Sequence, residues 1–432
     1  MISNTNFVSV VEQQTSVRWK IFFVIMSLVS LNYLDRASIS VAMPLISTEF
    51  HLSPALQGLI MSLFFWSYAL MQIPGGLLVD RYKPRVVIAT ATVAWGICQT
   101  LVAVCTNTTG LILTRLGLGL AEAPLNPSSG KLNGIWLTPH ERCRGAALLD
   151  GGAPLGAAFG ALIVATLIGW TGSWRLAFVM TGIVTILAGL FAWYFIRNNP
   201  RDHRGVSQAE AEYIELANQP DVDIEAHLPV TRPIELLKHR TPWLMFLGYM
   251  FSNVVFFGLL TWMPNYLSKE HGFDIRQMGS ASFIIFMTGF AGDLVGGWSA
   301  DKLLSSGVSP NKVMRTLLGF ASAVTTIAIF SVAYATGPVL TVVLLSITLF
   351  FQRWTGLYWS MPAMLTTRRR SGLLGAVMNL GGQVGGVVVP LAVGLIVQFT
   401  GSYFLALMVF TAAGAGLFLC SVSINYEKKV ML

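Results

Sequence analysis

Five ionisable side chains lie inside long apolar stretches. Asp35 and Arg36 interrupt the apolar run after Lys20. Arg115 and Glu122 stand seven apart in another, and Arg353 sits within Leu349-Phe350-Phe351-Gln352-Arg353-Trp354. An ionised group at the centre of a bilayer costs about 2.5–3.5 kcal/mol on insertion scales, so such groups mark ligand contacts, proton relays or buried pairs. Adjacent residues on a helix point about 100° apart, so Asp35 and Arg36 each need a partner or an aqueous cavity of their own. In one reading Asp35 accepts a proton and Arg36 clamps a carboxylate; in the other both are structural ions at a membrane rim. Arg115 and Glu122 are two turns apart on one face, roughly 10 Å along the axis. Burial favours the neutral form of a carboxyl, which suits Glu122 to proton coupling; the alternative is a structural ion pair with Arg115. Arg353 is either a second anion contact or the partner of Asp150 or Asp293, and the sequence leaves that open.

Other polar side chains in the apolar runs are candidates for lining a cavity: Tyr33, Tyr68, Gln72, Trp359, Asn379 and Gln383. Tyr68 and Gln72 are four apart and share a helix face, as do Asn379 and Gln383. Trp359 reads equally well as a core or lipid-facing residue. Cys98, Cys105, Cys143 and Cys420 form no CxxC pair and read as small hydrophobes. The sequence contains no GxxxxGK[ST], HExxH or GxSxG. The expectation is therefore no enzyme, no metal and no cofactor, with energy drawn from an ion gradient.

The elements that must hold these groups are legible from composition. Of 432 residues, 54% are hydrophobic and 11% charged, against about 25% charged in soluble domains. A bilayer span needs about 20 mostly apolar residues. Twelve such stretches lie near 20–45, 56–79, 86–106, 110–136, 144–169, 174–196, 242–267, 278–300, 313–335, 338–364, 371–398 and 402–425. Only helices satisfy the backbone within lipid without the alternation of a β-barrel. The fold class expected is all-α, with twelve transmembrane helices in two six-helix bundles.

The net charge of +8 resides in short clusters between spans, which argues for topology signals and against nucleic acid. Arg81, Lys83, Arg85, Arg142, Arg144, Lys302, Lys312 and Arg368 to Arg370 fall on one side, and the positive-inside rule makes that side, with both termini, cytoplasmic. The opening segment does not read as a cleaved signal peptide. The Asn107-Thr108-Thr109 sequon lies too close to the membrane to count. The chain divides into an arm (1–19), a first bundle (20–196), a polar linker (197–240), a second bundle (241–425) and a tail (426–432). Ser207-Gln208-Ala209-Glu210 reads as a capping box opening a surface helix to about Asn218. Gly152, Gly156 and Gly160, and likewise Gly382 and Gly386, show small-xxx-small spacing, read as close packing that lets the halves rock.

The halves echo each other. Gly76-x-x-x-Asp80-Arg81 follows the second span and Gly297-x-x-x-Asp301-Lys302 the eighth, each 221 positions apart from Gly76 to Gly297 and from Asp80 to Asp301. The first copy, with Arg85, resembles the loop 2–3 signature of the major facilitator superfamily, departing from it in Lys83-Pro84 where a glycine is common. Asn32-Tyr33-Leu34-Asp35-Arg36, Gln72-Ile73-Pro74-Gly75-Gly76, Arg115-x-x-x-Gly119-x-x-Glu122-Ala123-x-x-x-Pro127, Asn199-Pro200-Arg201-Asp202-His203 and Leu260-Thr261-Trp262-Met263-Pro264-Asn265-Tyr266-Leu267 resemble its anion:cation symporter branch. Within that branch the chain most resembles bacterial sugar-acid permeases (galactonate, glucarate), though aromatic-acid, tartrate, glutamate and sialic acid carriers share much of the pattern.

The resemblance implies a secondary transporter in a bacterial inner membrane that moves a small organic anion with protons by alternating access. It implies proton coupling at Asp35 and substrate contact at Arg36, Tyr68 and Asn379; the residue reading adds proton coupling at Glu122 and substrate contact at Arg115, Tyr33, Gln72, Trp359 and Arg353. Asp80, Arg81, Arg85 and Asp301 are expected to form inter-helix ion pairs that close one gate, a plain topology role being the alternative. The partners expected are the anion, protons and lipid; no nucleic acid is expected, and the protein is read as a monomer. A multidrug:proton antiporter of the same fold would favour cationic ligands and few central arginines. A non-transporting sensor would need more than the 197–240 segment for signalling.

Overall fold

A computed structural model of the protein describes residues 15–225, 238–366 and 368–428. The described chain is helical, and its surface is inverted relative to a water-soluble protein. Large apolar side chains such as Leu70, Ile73, Trp170, Val339 and Phe399 are more than 70% exposed, while Asp35, Arg36, Arg115 and Glu122 are buried. This is a multi-pass membrane protein: among the described residues eleven helices are long and apolar enough to cross a bilayer.

The first half comprises α1 (Val17–Glu49), α2 (Pro54–Tyr82), α3 (Pro84–Leu101), α4 (Thr108–Glu122), α5 (Leu125–Trp136), α6 (Arg142–Thr171) and α7 (Trp174–Phe195). The linker carries α8 (Gln208–Glu225). The second half comprises α9 (Arg240–His271), α10 (Ile275–Ser305), α11 (Pro310–Val332), α12 (Pro338–Gln352), α13 (Met361–Leu365), α14 (Arg368–Thr400) and α15 (Phe404–Ser423). A 3₁₀ stretch, Arg353–Ser360, joins α12 to α13. The expected fourth span is not continuous either. It breaks between α4 and α5 at Ala123-Pro124, because proline lacks an N–H and its ring clashes with the carbonyl four residues back. Pro127 falls in the first turn of α5, where no N–H partner is lost. The halves meet where α2 packs on α14, α6 on α10 and α1 on α9.

The glycine stripe of α6 packs within the first half, not between halves. A β-carbon at Gly152 would come within 3.0 Å of the Met26 carbonyl oxygen, and one at Gly160 within 2.6 Å of Leu34 Cα. Gly382 likewise packs on Tyr249 of α9 in its own half, and Gly386 on Phe257 as well as on Phe65 of the other half. The glycines that let the halves touch are Gly58, against Pro390 and Gly394, and Gly279, against Ala165.

Contacts across the halves crowd toward the end opposite the termini. Asn265 donates to Gln57 Oε1 at 3.0 Å, the Ala55 N–H to Gln398 Oε1 at 3.1 Å, and Arg276 to the Gly169 carbonyl at 3.4 Å. At the terminus-bearing end no polar bridge joins the halves among the described residues. Among the described residues, the four residues expected at a gate form no ion pair across the halves in this conformation. Asp80 pairs with Lys131 of its own half at 2.7 Å. Arg85 donates to the Trp193 carbonyl and lies over its ring, and Arg81 lies over Tyr82. Asp301 is exposed and unpaired among the described residues.

The linker helix is tied to the first half. Ser207 Oγ accepts from the Glu210 N–H at 3.2 Å, and the Glu210 carboxylate, buried, accepts from the Val17 N–H and from Arg18 Nη1 at 2.8 Å. α8 runs on past Asn218 to Glu225.

Lys83, between α2 and α3, has φ +69° and ψ +149°, a region nearly reserved for glycine; the extended ψ is imposed by Pro84. Lys83→Gly is expected to raise the thermal unfolding midpoint of the purified protein and Lys83→Val to lower it, each by an amount worth about 1 kcal/mol. The reverse order would show that this turn is unstrained.

Candidate functional site

Arg36 comes from the middle of α1, and Glu122 is the last residue of α4, at the break. Arg36 Nε and Glu122 Oε2 are 3.1 Å apart, with both side chains buried. The partner of Glu122 is therefore Arg36 rather than Arg115, the pairing weighed from sequence. The Arg36 guanidinium also lies 4.7 Å from the ring centroids of Tyr33 and Phe64 and 4.8 Å from that of Tyr68. Such a desolvated cation–π setting is worth about 2 kcal/mol or more. Asp35 points away, as adjacency demands, and accepts from Thr185 Oγ1 of α7 at 3.2 Å.

The cluster is incompletely satisfied. Among the described residues Asp35 Oδ1, Glu122 Oε1, and Arg115 Nε and Nη2 are buried without a hydrogen-bond partner. Arg115 and Arg36 line a cavity of about 270 Å³ that is closed by Phe65 of α2 and by Leu260 and Thr261 of α9. A buried, unpartnered guanidinium facing a void is a ready hydrogen-bond donor to an anion.

The second half contributes a matching constellation. Arg353, the first residue of the 3₁₀ stretch, donates to Asp293 Oδ2 from Nε at 2.9 Å and from Nη2 at 2.8 Å, and to Asp150 Oδ2 of α6 at 2.7 Å. Of the alternatives the sequence left open, Arg353 pairs with both acids. With Tyr249, Asn253 and Trp359, Arg353 and Asp150 line a cavity of about 220 Å³. Trp359 is 43% exposed and meets Tyr249 edge-on at 5.7 Å, so it faces the cavity. Tyr33 packs against Phe256 across the halves at 6.1 Å, and Arg353 lies 5.1 Å from the Phe256 ring. This aromatic pair therefore stands between the two charged constellations.

The structure also identifies residues that sequence reasoning missed. Asn126 donates to the Tyr68 hydroxyl at 2.9 Å; it lies between Pro124 and Pro127, and the helix break was its available signal. Gln352 donates to the Ser252 hydroxyl at 2.9 Å, and Ser252 is 2.8 Å from Thr355 Oγ1. Nothing in the spacing of those three announces the network. Gln72, Asn379 and Gln383 are half-buried on α2 and α14, and Gln72 Nε2 and Gln383 Oε1 lack partners among the described residues.

The profile of the Major Facilitator Superfamily matches residues 25–390. The chain belongs to the major facilitator superfamily. Among relatives of this facilitator, the D-galactonate transporter of Escherichia coli O6:H1 is 32% identical over 375 residues, covering 85% of this chain and 86% of that one. A probable galactarate/D-glucarate transporter of Bacillus subtilis is 29% identical over 421 residues, 93% of this chain and 90% of that one. In fold the facilitator is similar to a D-xylose-proton symporter crystal structure, with TM-score 0.74 at 16% identity over 96% of this chain and all of that one. The resemblance read from the loop motif and its repeat therefore holds.

Removing one partner of a buried ion pair strands the other charge, at a cost of about 3–5 kcal/mol. Arg36→Leu is accordingly expected to lower stability by that order in denaturation of the purified facilitator, and adding Glu122→Gln to recover part of the loss. Equal stability of Arg36→Leu and wild type would mean that the pair is solvated.

Proposed function

We propose that this chain is a secondary transporter that carries a small organic anion, a sugar acid, together with protons by alternating access. The observation that carries the reading is the buried Arg36–Glu122 pair beside the unpartnered Arg115, at a cavity between the halves. While Glu122 is ionised it occupies Arg36. A proton on Glu122 cancels that attraction and frees the guanidinium for a substrate carboxylate, so anion and proton favour each other's binding. Bidentate guanidinium–carboxylate geometry suits such a clamp. Asp35, held by Thr185, is a second proton site one residue away.

Hydroxyl-bearing groups of the anion would find donors and acceptors in Tyr68, Asn126, Asn253 and Tyr249. The names of the galactonate and galactarate/glucarate relatives support a sugar acid. The seal at one end, with no polar bridge at the other among the described residues, supports alternating access. The three buried guanidinia, Arg36, Arg115 and Arg353, speak against a carrier of cationic drugs.

The test is uptake of D-galactonate into proteoliposomes with and without an imposed pH gradient. Wild type is expected to accumulate the sugar acid only with the gradient. Glu122→Gln is expected to lose that dependence and at least tenfold of the accumulation. Gradient-indifferent uptake by wild type rejects coupling, and no uptake of any sugar acid rejects the substrate class.

A further inference from the structure

We propose that Asp150, acting with Asp293 on Arg353, is a charge filter that restricts the central site to monoanions, favouring an aldonate over the matching aldarate. This deepens the functional reading above and rests on it.

The argument begins with the number of charges. Two carboxylates converge on one guanidinium: Asp293 takes Nε and Nη2, and Asp150 takes Nη2. Both pairs are charge-assisted and short, which marks a compensated cation. The Arg353 charge is thereby compensated through Nε and Nη2, and with both acids ionised the triad keeps one formal negative charge. Its two acids differ in access. The Asp150 side chain is 29% exposed and that of Asp293 12%, so the surplus charge is presented to the cavity by Asp150, from the first half.

The convergence is built into the backbone. A β-carbon at Gly356 would stand 3.0 Å from Asp293 Oδ1 and 3.5 Å from Asp150 Oδ2, so the absence of a side chain there makes room for both carboxylates.

Position turns this charge into selectivity. The triad and the Arg36 clamp stand on opposite sides of the Tyr33–Phe256 pair. A sugar acid held by its carboxylate at Arg36 extends its chain toward the second half. There a hydroxyl meets Asn253 and Tyr249, whereas a second carboxylate meets a negative triad.

The charge balance of the whole site agrees. Arg36, Arg115 and Arg353 face Asp35, Glu122, Asp150 and Asp293. With protons on Asp35 and Glu122 these seven groups carry one net positive charge, which a single carboxylate neutralises. A dianion would leave an uncompensated buried charge, a costly state, and selectivity built from such repulsion is a common device.

The experiment measures binding of galactonate and galactarate to the purified full-length protein by calorimetry at neutral pH, for wild type and Asp150→Asn. Wild type is expected to bind galactonate at least tenfold more tightly than galactarate. Asp150→Asn, which removes the surplus charge, is expected to narrow that ratio at least fivefold. Galactarate binding as tightly as galactonate to wild type overturns the filter while leaving the organic-anion reading standing, and it does so even where the variant fails to fold. An unchanged ratio in folded Asp150→Asn also overturns it. Binding of neither ligand removes the functional reading, and the filter with it.

Discussion

A cation taken into an apolar bundle must be met by an anion there, and the arrangement of this protein follows from that demand. Arg36 on α1 is met by Glu122 on α4 and Arg353 by Asp150 and Asp293 on α6 and α10, and these bonds fix the rotation and depth of the helices that carry them. Helix association inside lipid has little hydrophobic drive of its own, so close packing and ion pairs must do that positioning. The glycine stripe of α6 supplies the packing against α1, and the charges set which faces look inward.

Both halves put their charged residue where regular α-helix stops. Glu122 ends α4 at the break before Pro124, and Arg353 opens the 3₁₀ stretch after α12. These are the fourth spans of the two bundles, so the repeat visible in the Gly76 and Gly297 motifs extends to the chemistry. Irregular backbone at membrane depth is tolerated where it lines a cavity or is buried in protein, and here it does so at both places. The halves are nevertheless not equivalent. In the first, Glu122 Oε1 and the neighbouring Arg115 Nε and Nη2 lack partners among the described residues; in the second, the guanidinium is bonded at Nε and Nη2.

Much of this was legible in the sequence because helical geometry acts within a single segment. The divergence of Asp35 from Arg36 and the shared face of Arg115 and Glu122 follow from a 3.6-residue turn, and the apolar runs from the length a bilayer demands. Partner choice was not legible, because spacing fixes a face without saying which neighbouring helix approaches it. Arg36 therefore displaced Arg115 as the partner of Glu122. The break at Pro124 was missed because 110–136 was read as one span, although Pro124, Pro127 and the polar residues after them were in view. The Gly152 stripe was correctly read as a close-packing face, but its partner α1 lies in the same half, so it is no hinge between halves.

The gate expected at Asp80, Arg81, Arg85 and Asp301 is a different matter: a sequence encodes every conformation of the protein at once, and one structure displays one of them. Here the end opposite the termini is sealed by a few hydrogen bonds from side-chain amides and Arg276, together with the contacts of Gly58 and Gly279. Bonds of that kind are worth about 1 kcal/mol each net, so the seal is weak compared with the buried ion pairs at mid-depth. The charges at the centre are costly to separate and the contacts at the end opposite the termini are cheap, an ordering of energies that suits the alternating access proposed above.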